Sequence, residues 1–335
     1  MNLASLGDGV QQFQLQRQNT ALKSSLNTLA KELSSGEISD RVKANNGDTA
    51  RLSAVDNRMK VLASLKYLTT ETQLTLSATQ TALTNLDTQR GALAEPLILI
   101  NAESTDLQLT EASRSARDRF EGLISTLNTR LGDDSLFAGK ATNQAAFTSA
   151  DVIVADLVTQ IGGATETADI IAVIDTWFDD PAGGFATIAY TGDTGDQVTR
   201  RLDNATSVTL DARADDPGIK AVLRGAVYAA ITAELGGINK QTTSELLFAG
   251  GVQLQSAASD IAQVQGRLGF VEGEVERFAV AQASEQSALN IARNLMTQAD
   301  PFETATQLQS VQTQLETHYA MTARLSRLSL AEYLR

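Results

Sequence analysis

The chain of 335 residues contains no cysteine and one histidine, His318. A disulfide framework, thiolate metal sites and any metal site needing two histidines are therefore excluded. Proline is scarce: only residues 96, 181, 217 and 301, so long stretches carry no helix breaker. Aromatic residues make up 5%, with one tryptophan. No apolar run approaches the roughly 20 residues needed to span a bilayer. The longest are short, such as Leu97-Ile98-Leu99-Ile100. The first basic residue is Arg17, with no apolar stretch behind it, so no signal peptide is expected. Phosphate-cradling, dinucleotide-binding and nucleophile-elbow glycine motifs are missing, and no enzyme or cofactor is indicated. Basic stripes are missing too, which argues against nucleic acid as a partner.

What is present favours helices. Hydrophobic residues make up 42%, enough for a large core, and Ala, Leu, Gln and Thr fill the space that aromatics leave. The net charge of −13 is unevenly spread. Residues 146–219 hold 13 acids and 3 bases, while residues 1–145 hold 16 and 15, and residues 220–335 hold 11 and 9. Near-neutral flanks can pack side by side, and an acidic middle stays solvated.

Both flanks carry coiled-coil periodicity. Leu15, Leu22 and Leu29 recur every seven residues, with Leu26 and Leu33 in the alternate slot. Ile261, Val264, Leu268, Val271, Val275 and Phe278 alternate steps of three and four, and Gln282, Glu285, Leu289, Ala292 and Met296 continue them. Such stripes must be buried against other helices. The expected fold is mainly α: an elongated helical bundle of paired N- and C-terminal segments, with a smaller α+β middle domain inserted. The division this implies is 1–40 with 299–335 as a terminal coiled coil, 41–147 with 220–298 as a helical rod, and 148–219 as an acidic variable domain.

In more detail, residues 10–35 read as a helix closed by Gly36. A second helix buries Leu52, Val55, Met59, Leu62 and Leu65, then Leu76, Leu83, Leu86, Leu93, Leu97 and Ile100, with Pro96 near its end. A third spans about 105–131. In the middle, 151–161 and 166–178 look helical, while 185–190 and 207–210 look like strands. A helix near 219–235 is followed by a Gly-Gly break and a long helix from about 253 to 298. Asp300 and Pro301 are placed to cap and open the last helix, which carries Leu308, Val311, Leu315, Tyr319, Leu325, Leu328 and Leu330.

Four smaller features stand out. Gly266, Gly269 and Gly273 form a stripe with Ala262, so a second helix is expected to pack closely there. The tetrapeptide Leu-Phe-Ala-Gly occurs at 136–139 and again at 247–250, which coincidence explains as well as a repeat. The Thr191–Asp196 loop carries two aspartates without EF-hand spacing and reads as a solvated turn. Asn204-Ala205-Thr206 matches a glycosylation acceptor, a common chance pattern. The N-terminal stripe has few large apolar groups besides leucine and suits a partner helix better than lipid.

Two stretches carry a family resemblance. Leu26-Asn27-Thr28-Leu29 followed by Leu33-Ser34-Ser35-Gly36, and the C-terminal run from Leu315 to Leu334 with its Ala-Arg-Leu-Ser-Arg-Leu-Ser-Leu core, resemble the ends of bacterial flagellins. The segment Leu127-Asn128-Thr129-Arg130 leading to Leu136-Phe137-Ala138-Gly139 resembles hook–filament junction members of that superfamily. The resemblance implies a structural, extracellular subunit of the flagellum, exported through the type III channel without a cleaved leader. It implies partners of four kinds: further copies, a hook-side junction protein, flagellin, and an export chaperone on the C-terminal region. A filament flagellin is the near alternative, and a coiled-coil ligand-binding or sensory module is the alternative of another class. On this reading Leu15, Leu22, Leu26, Leu29, Leu33, Leu308, Val311, Leu315, Tyr319, Leu325, Leu328 and Leu330 form the assembly interface.

Overall fold

The structure is a computed structural model that describes residues 3–44, 47–195, 197–203, 205–210 and 212–333, with side chains for Val10 and from Gln12 to Arg324 within those ranges. Asp196 and Asn204 lie outside the described residues, as do the side chains of Leu325, Leu328 and Leu330. The fold is mainly α. In order come α1 (Leu3–Ser35), the short α2 (Arg41–Ala44), α3 (Ala50–Ile98), α4 (Asp106–Leu127), α5 (Ala150–Ile161), α6 (Thr167–Asp179), α7 (Pro217–Ala230), α8 (Lys240–Thr297) and α9 (Pro301–Tyr333). Two antiparallel two-stranded ribbons accompany them: β1 (Arg130–Leu131) with β2 (Asp134–Ser135), and β3 (Val198–Arg201) with β4 (Ser207–Leu210). Val198 pairs with Leu210 and Arg201 with Ser207.

The chain divides into two compact units, residues 1–63 with 283–335, and residues 64–282. The acidic segment is no separate body, because its helices share one core with the flanking ones. Phe120, Leu123 and Leu127 of α4, Leu157 of α5, Ile170 and Ile174 of α6, and Val222 and Ala226 of α7 are all buried in it. Phe147, Trp177, Phe178, Phe185 and Tyr190 add an aromatic cluster with edge-to-face contacts at ring-centre distances of 5.0–6.4 Å. Three of the chain's ten phenylalanines, one of its five tyrosines and its one tryptophan gather in this cluster.

Local signals explain most boundaries. Thr105 and Gln108 form a reciprocal capping box at the start of α4. Asn128 ends that helix, and its amide then accepts from the Phe147 N–H (2.8 Å) and donates to the Phe147 carbonyl (3.1 Å), pinning the ribbon segment back to the helix end. Pro96 sits in the last turn of α3, where the helix runs only two residues further.

Two expectations are corrected. Residues 185–189 form a π-helical turn, not a strand, and only Tyr190 bridges to Phe147. The turn places Phe185 among the other rings, and the approach of Gly184 to the Trp177 indole leaves no space for a Cβ. The long helix begins at Lys240, not near 253, and runs through Gly250 and Gly251.

These two glycines also answer the question of close packing. A Cβ on Gly250 would meet Gly225 O at 2.8 Å, and one on Gly251 would meet Ile98 N at 2.8 Å and Leu97 Cβ at 2.9 Å. Gly218 and Gly225 of α7 make equally close approaches to Asp260 and Leu254. By contrast Gly266, Gly269 and Gly273 are exposed, with nothing within 4 Å of a built Cβ. The stripe lies outside the seam that α8 buries, so the pattern reflects missing side chains and not a close contact within the chain. The two Leu-Phe-Ala-Gly copies differ in conformation: residues 136–139 make a turn with Gly139 at φ +62°, and residues 247–250 are helical.

Candidate assembly surface

The terminal helices meet in the first unit. α1 packs on α9, and the pair is antiparallel: Glu37 bridges Gln298, while the Lys23 ammonium lies 5.8 Å from the Tyr319 ring centre. Gly36 ends α1 in the left-handed region at φ +72°, where its N–H donates to Glu32 O at 2.8 Å. Two backbone bonds then join the chain ends, from Ile38 N to Thr297 O (2.8 Å) and from Ala299 N to Gly36 O (2.9 Å). Asp300 caps α9, its Oδ1 accepting from the N–H groups of Phe302 and Glu303 at 2.8 and 3.0 Å.

Ion pairs brace this corner. Glu37 lies 2.7 Å from Arg41 and 3.8 Å from Arg293, and Arg293 reaches Asp56 at 3.1 Å. Arg58 and Glu285 add a two-pronged pair between α3 and α8. All are partly exposed, so each contributes modestly, with bidentate geometry the best of them. Leu52 and Leu62 are buried at the seam of this unit, with Val55, Met59, Leu289, Ala292 and Met296 half-buried.

On α1, Leu15, Leu22, Leu26 and Leu29 share one face and are half-buried, while Leu33 is 41% exposed. On α9, Leu308, Val311 and Leu315 are half-buried. The α9 seam then continues through His318, which is buried with neither ring nitrogen hydrogen-bonded, and not through Tyr319, which is 46% exposed. Thr304, Leu308, Val311, Leu315 and His318 are spaced four, three, four and three, and Tyr319 falls one position outside that register. Val10, Phe13, Phe302 and Met321 are mostly exposed as well. A two-helix pair can cover only one side of each stripe, so apolar surface remains available along both terminal helices.

The second unit offers no comparable chemistry. Among the described residues no group of three or more His, Asp or Glu is placed to hold a metal, and no helix is long and apolar enough to cross a membrane. Residues 191–195 are docked structurally: Asp193 N donates to Ala138 O at 2.9 Å, and Arg213 donates to Gly195 O at 2.6 Å. The buried setting of Asp215 raises its carboxyl above the usual range despite the Arg213 guanidinium at 3.0 Å. Burial also raises the Tyr228 phenol, which bonds to Asp175.

Comparison with known proteins finds partial likenesses. Residues 253–334 match the family described as the bacterial flagellin C-terminal helical region. No protein of curated function matches the sequence. Among solved structures, the fold is similar to a putative flagellar hook-associated protein from Vibrio parahaemolyticus, at TM-score 0.52 and 9% identity, over 73% of this chain and 95% of that one. A second similar structure is FlgL from Bacillus cereus, at TM-score 0.41 and 14% identity, over 72% of this chain and 95% of that one.

Proposed function

From a chain whose residues 253–334 are a flagellin C-terminal helical region, we propose a structural subunit of the bacterial flagellum that joins hook-side subunits to the flagellin filament. The observation that carries this reading is the pair of terminal helices whose leucine and valine stripes stay half-exposed after packing on each other. Copies of the chain and its flagellar neighbours supply the missing cover. Identical head-to-tail contacts that do not close on themselves produce a helical array, the arrangement such stripes suit.

The proposed interface comprises Leu15, Leu22, Leu26, Leu29 and Leu33 on α1 with Leu308, Val311, Leu315 and Tyr319 on α9; Leu325, Leu328 and Leu330 extend it by sequence alone. Segments 1–40 and 299–335 form its assembly part, and the acidic side chains of 148–219 keep the outer surface of that segment solvated. Before assembly, the α9 stripe is a fitting surface for an export chaperone. The role requires no cofactor and no catalysis, and it places the protein outside the cell.

A deletion strain tests the proposal. Loss of this chain is expected to leave the hook intact, abolish motility and release flagellin into the medium, with recovery on complementation. Filaments that persist on the deletion strain overturn the junction role. Absence of flagellin synthesis products at the cell surface and in the medium, restored by this chain alone, assigns it as the filament flagellin.

A further inference from the structure

The threonine-rich part of α3 takes its place in the same seam as the leucines. Within the second unit the slots run Leu65, Thr69, Thr72, Leu76, Thr79, Leu83, Leu86, Arg90, Leu93 and Leu97, in unbroken steps of four and three. Thr69, Thr72 and Thr79 are 1%, 3% and 4% exposed, so three of four consecutive slots around Leu76 hold a hydroxyl in place of an isobutyl group. Each hydroxyl donates to the carbonyl four residues back, at 3.0, 2.8 and 2.8 Å. Such bonds satisfy the hydroxyl but add nothing across the seam, and they bend helices.

The opposite helix is thinned at the same level. Gln73 bonds to Glu276 at 2.8 Å, and Leu76 shares a surface hollow of about 430 Å³ with Gln73, Gly269, Glu272, Gly273 and Glu276. Gly269 and Gly273 place no side chain there. Gln282 lies further along the α8 seam, buried with neither amide atom hydrogen-bonded. From Leu83 onward leucine fills most slots: Leu83, Leu86, Leu93 and Leu97 join Leu76 in the main core, and Arg90 donates to Leu254 O at 3.0 Å.

We propose that the α3–α8 pair contains a built-in joint, at residues 66–82 facing residues 265–279, where the helices open and bend before the flanking core does. The three threonine slots bury less apolar surface than leucine would, while Leu76, Leu268 and Val275 remain buried beside them; glycine lowers helix propensity on one side, and β-branched threonine does so on the other. The threonine run lies on the seam, and Gly269 and Gly273 lie beside it at the same level, across a surface hollow that Leu76 also lines. If the flagellar reading above holds, the joint lets one subunit adapt to two unlike neighbours; its existence in the isolated chain does not depend on that reading.

Hydrogen–deuterium exchange on the purified full-length chain tests it. Amides of 66–82 and 265–279 are expected to exchange at least about tenfold faster than those of 83–97 and 250–261. The triple variant Thr69→Val, Thr72→Val and Thr79→Val replaces each buried hydroxyl by a methyl group, makes the seam apolar and should slow exchange of 66–82 by about tenfold. The matched variant Thr81→Val, Thr84→Val and Thr88→Val removes identical back-bonds from exposed positions of α3 and should leave it unchanged. Equal protection of 66–82 and 83–97 in the wild-type chain overturns the joint, as does an equal effect of the two triple variants.

Discussion

Single atoms decide which glycines matter. Adding a methyl group at Gly251 drives it against the Ile98 amide nitrogen at 2.8 Å, a backbone atom that cannot rotate away. Gly251→Ala is expected to destabilise the larger unit by about 1–3 kcal/mol, read as a lower urea midpoint. Gly269→Ala meets nothing and raises helix propensity, so it should stabilise by up to about 1 kcal/mol in the same assay. Asp215 makes a residue-scale prediction in pH. Its folded carboxyl is raised by burial, so the neutral form fits the fold better than the charged one. The raised value means a stability contribution present below the unfolded carboxylate range and lost as pH rises through the folded one. Asp215→Asn should therefore gain stability relative to the parent at pH 8, and the gain should vanish near pH 3 in denaturant titrations.

Elements are held by end contacts as much as by their faces. Asn128 holds both backbone groups of Phe147 and so ties the end of α4 to the ribbon and aromatic cluster. Asn128→Ala removes two bonds and strands two backbone groups, a loss of about 2–4 kcal/mol measurable by thermal or urea unfolding. The Asp300 cap should be worth about 1 kcal/mol to α9. The measurement is the far-ultraviolet circular dichroism of Asp300→Ala on mild heating, where helix signal is lost ahead of the main transition. At this scale the sequence was a good guide wherever a period or a cap was present: α1, α4, α5, α6, α7 and α9 lie close to where Gly36, Asp300, Pro217 and the heptads put them. It misled at 185–190, where β-favouring residues were taken into a helical turn by the packing of Phe185. The Gly236-Gly237 break does precede α8, but the helix then starts at Lys240 rather than near 253, and Gly250 and Gly251 within it form the flat surface on which α7 and α3 rest.

At the scale of the whole molecule, the two units differ in how completely they bury themselves. The larger one has a continuous core with many fully covered residues, from Phe120 and Phe137 to Ile231. The terminal helices have no fully buried leucine among their described side chains. Limited trypsin digestion should therefore cut after Arg17, Lys23, Lys31 and Arg324 first, leaving a resistant fragment that contains 64–282. Leu22→Glu with Leu315→Glu should abolish incorporation into flagella while leaving the main thermal transition of the purified chain unchanged, because the altered positions belong to the smaller unit.

The sequence by itself determined the helical class, the pairing of near-neutral ends around an acidic middle, and the family signal at the C-terminus, because periodicity, charge and caps are local properties that need no neighbour. The tertiary structure decided which chemistry fills each slot. Only packing shows that Thr69, Thr72 and Thr79 are buried where leucine is the norm, that His318 displaces Tyr319 from the seam, and that Gly250 and Gly251, not Gly266, Gly269 and Gly273, are where helices touch. A glycine or threonine looks the same in sequence on a seam or off it; burial depends on which helix stands opposite, and that is a property of the folded chain.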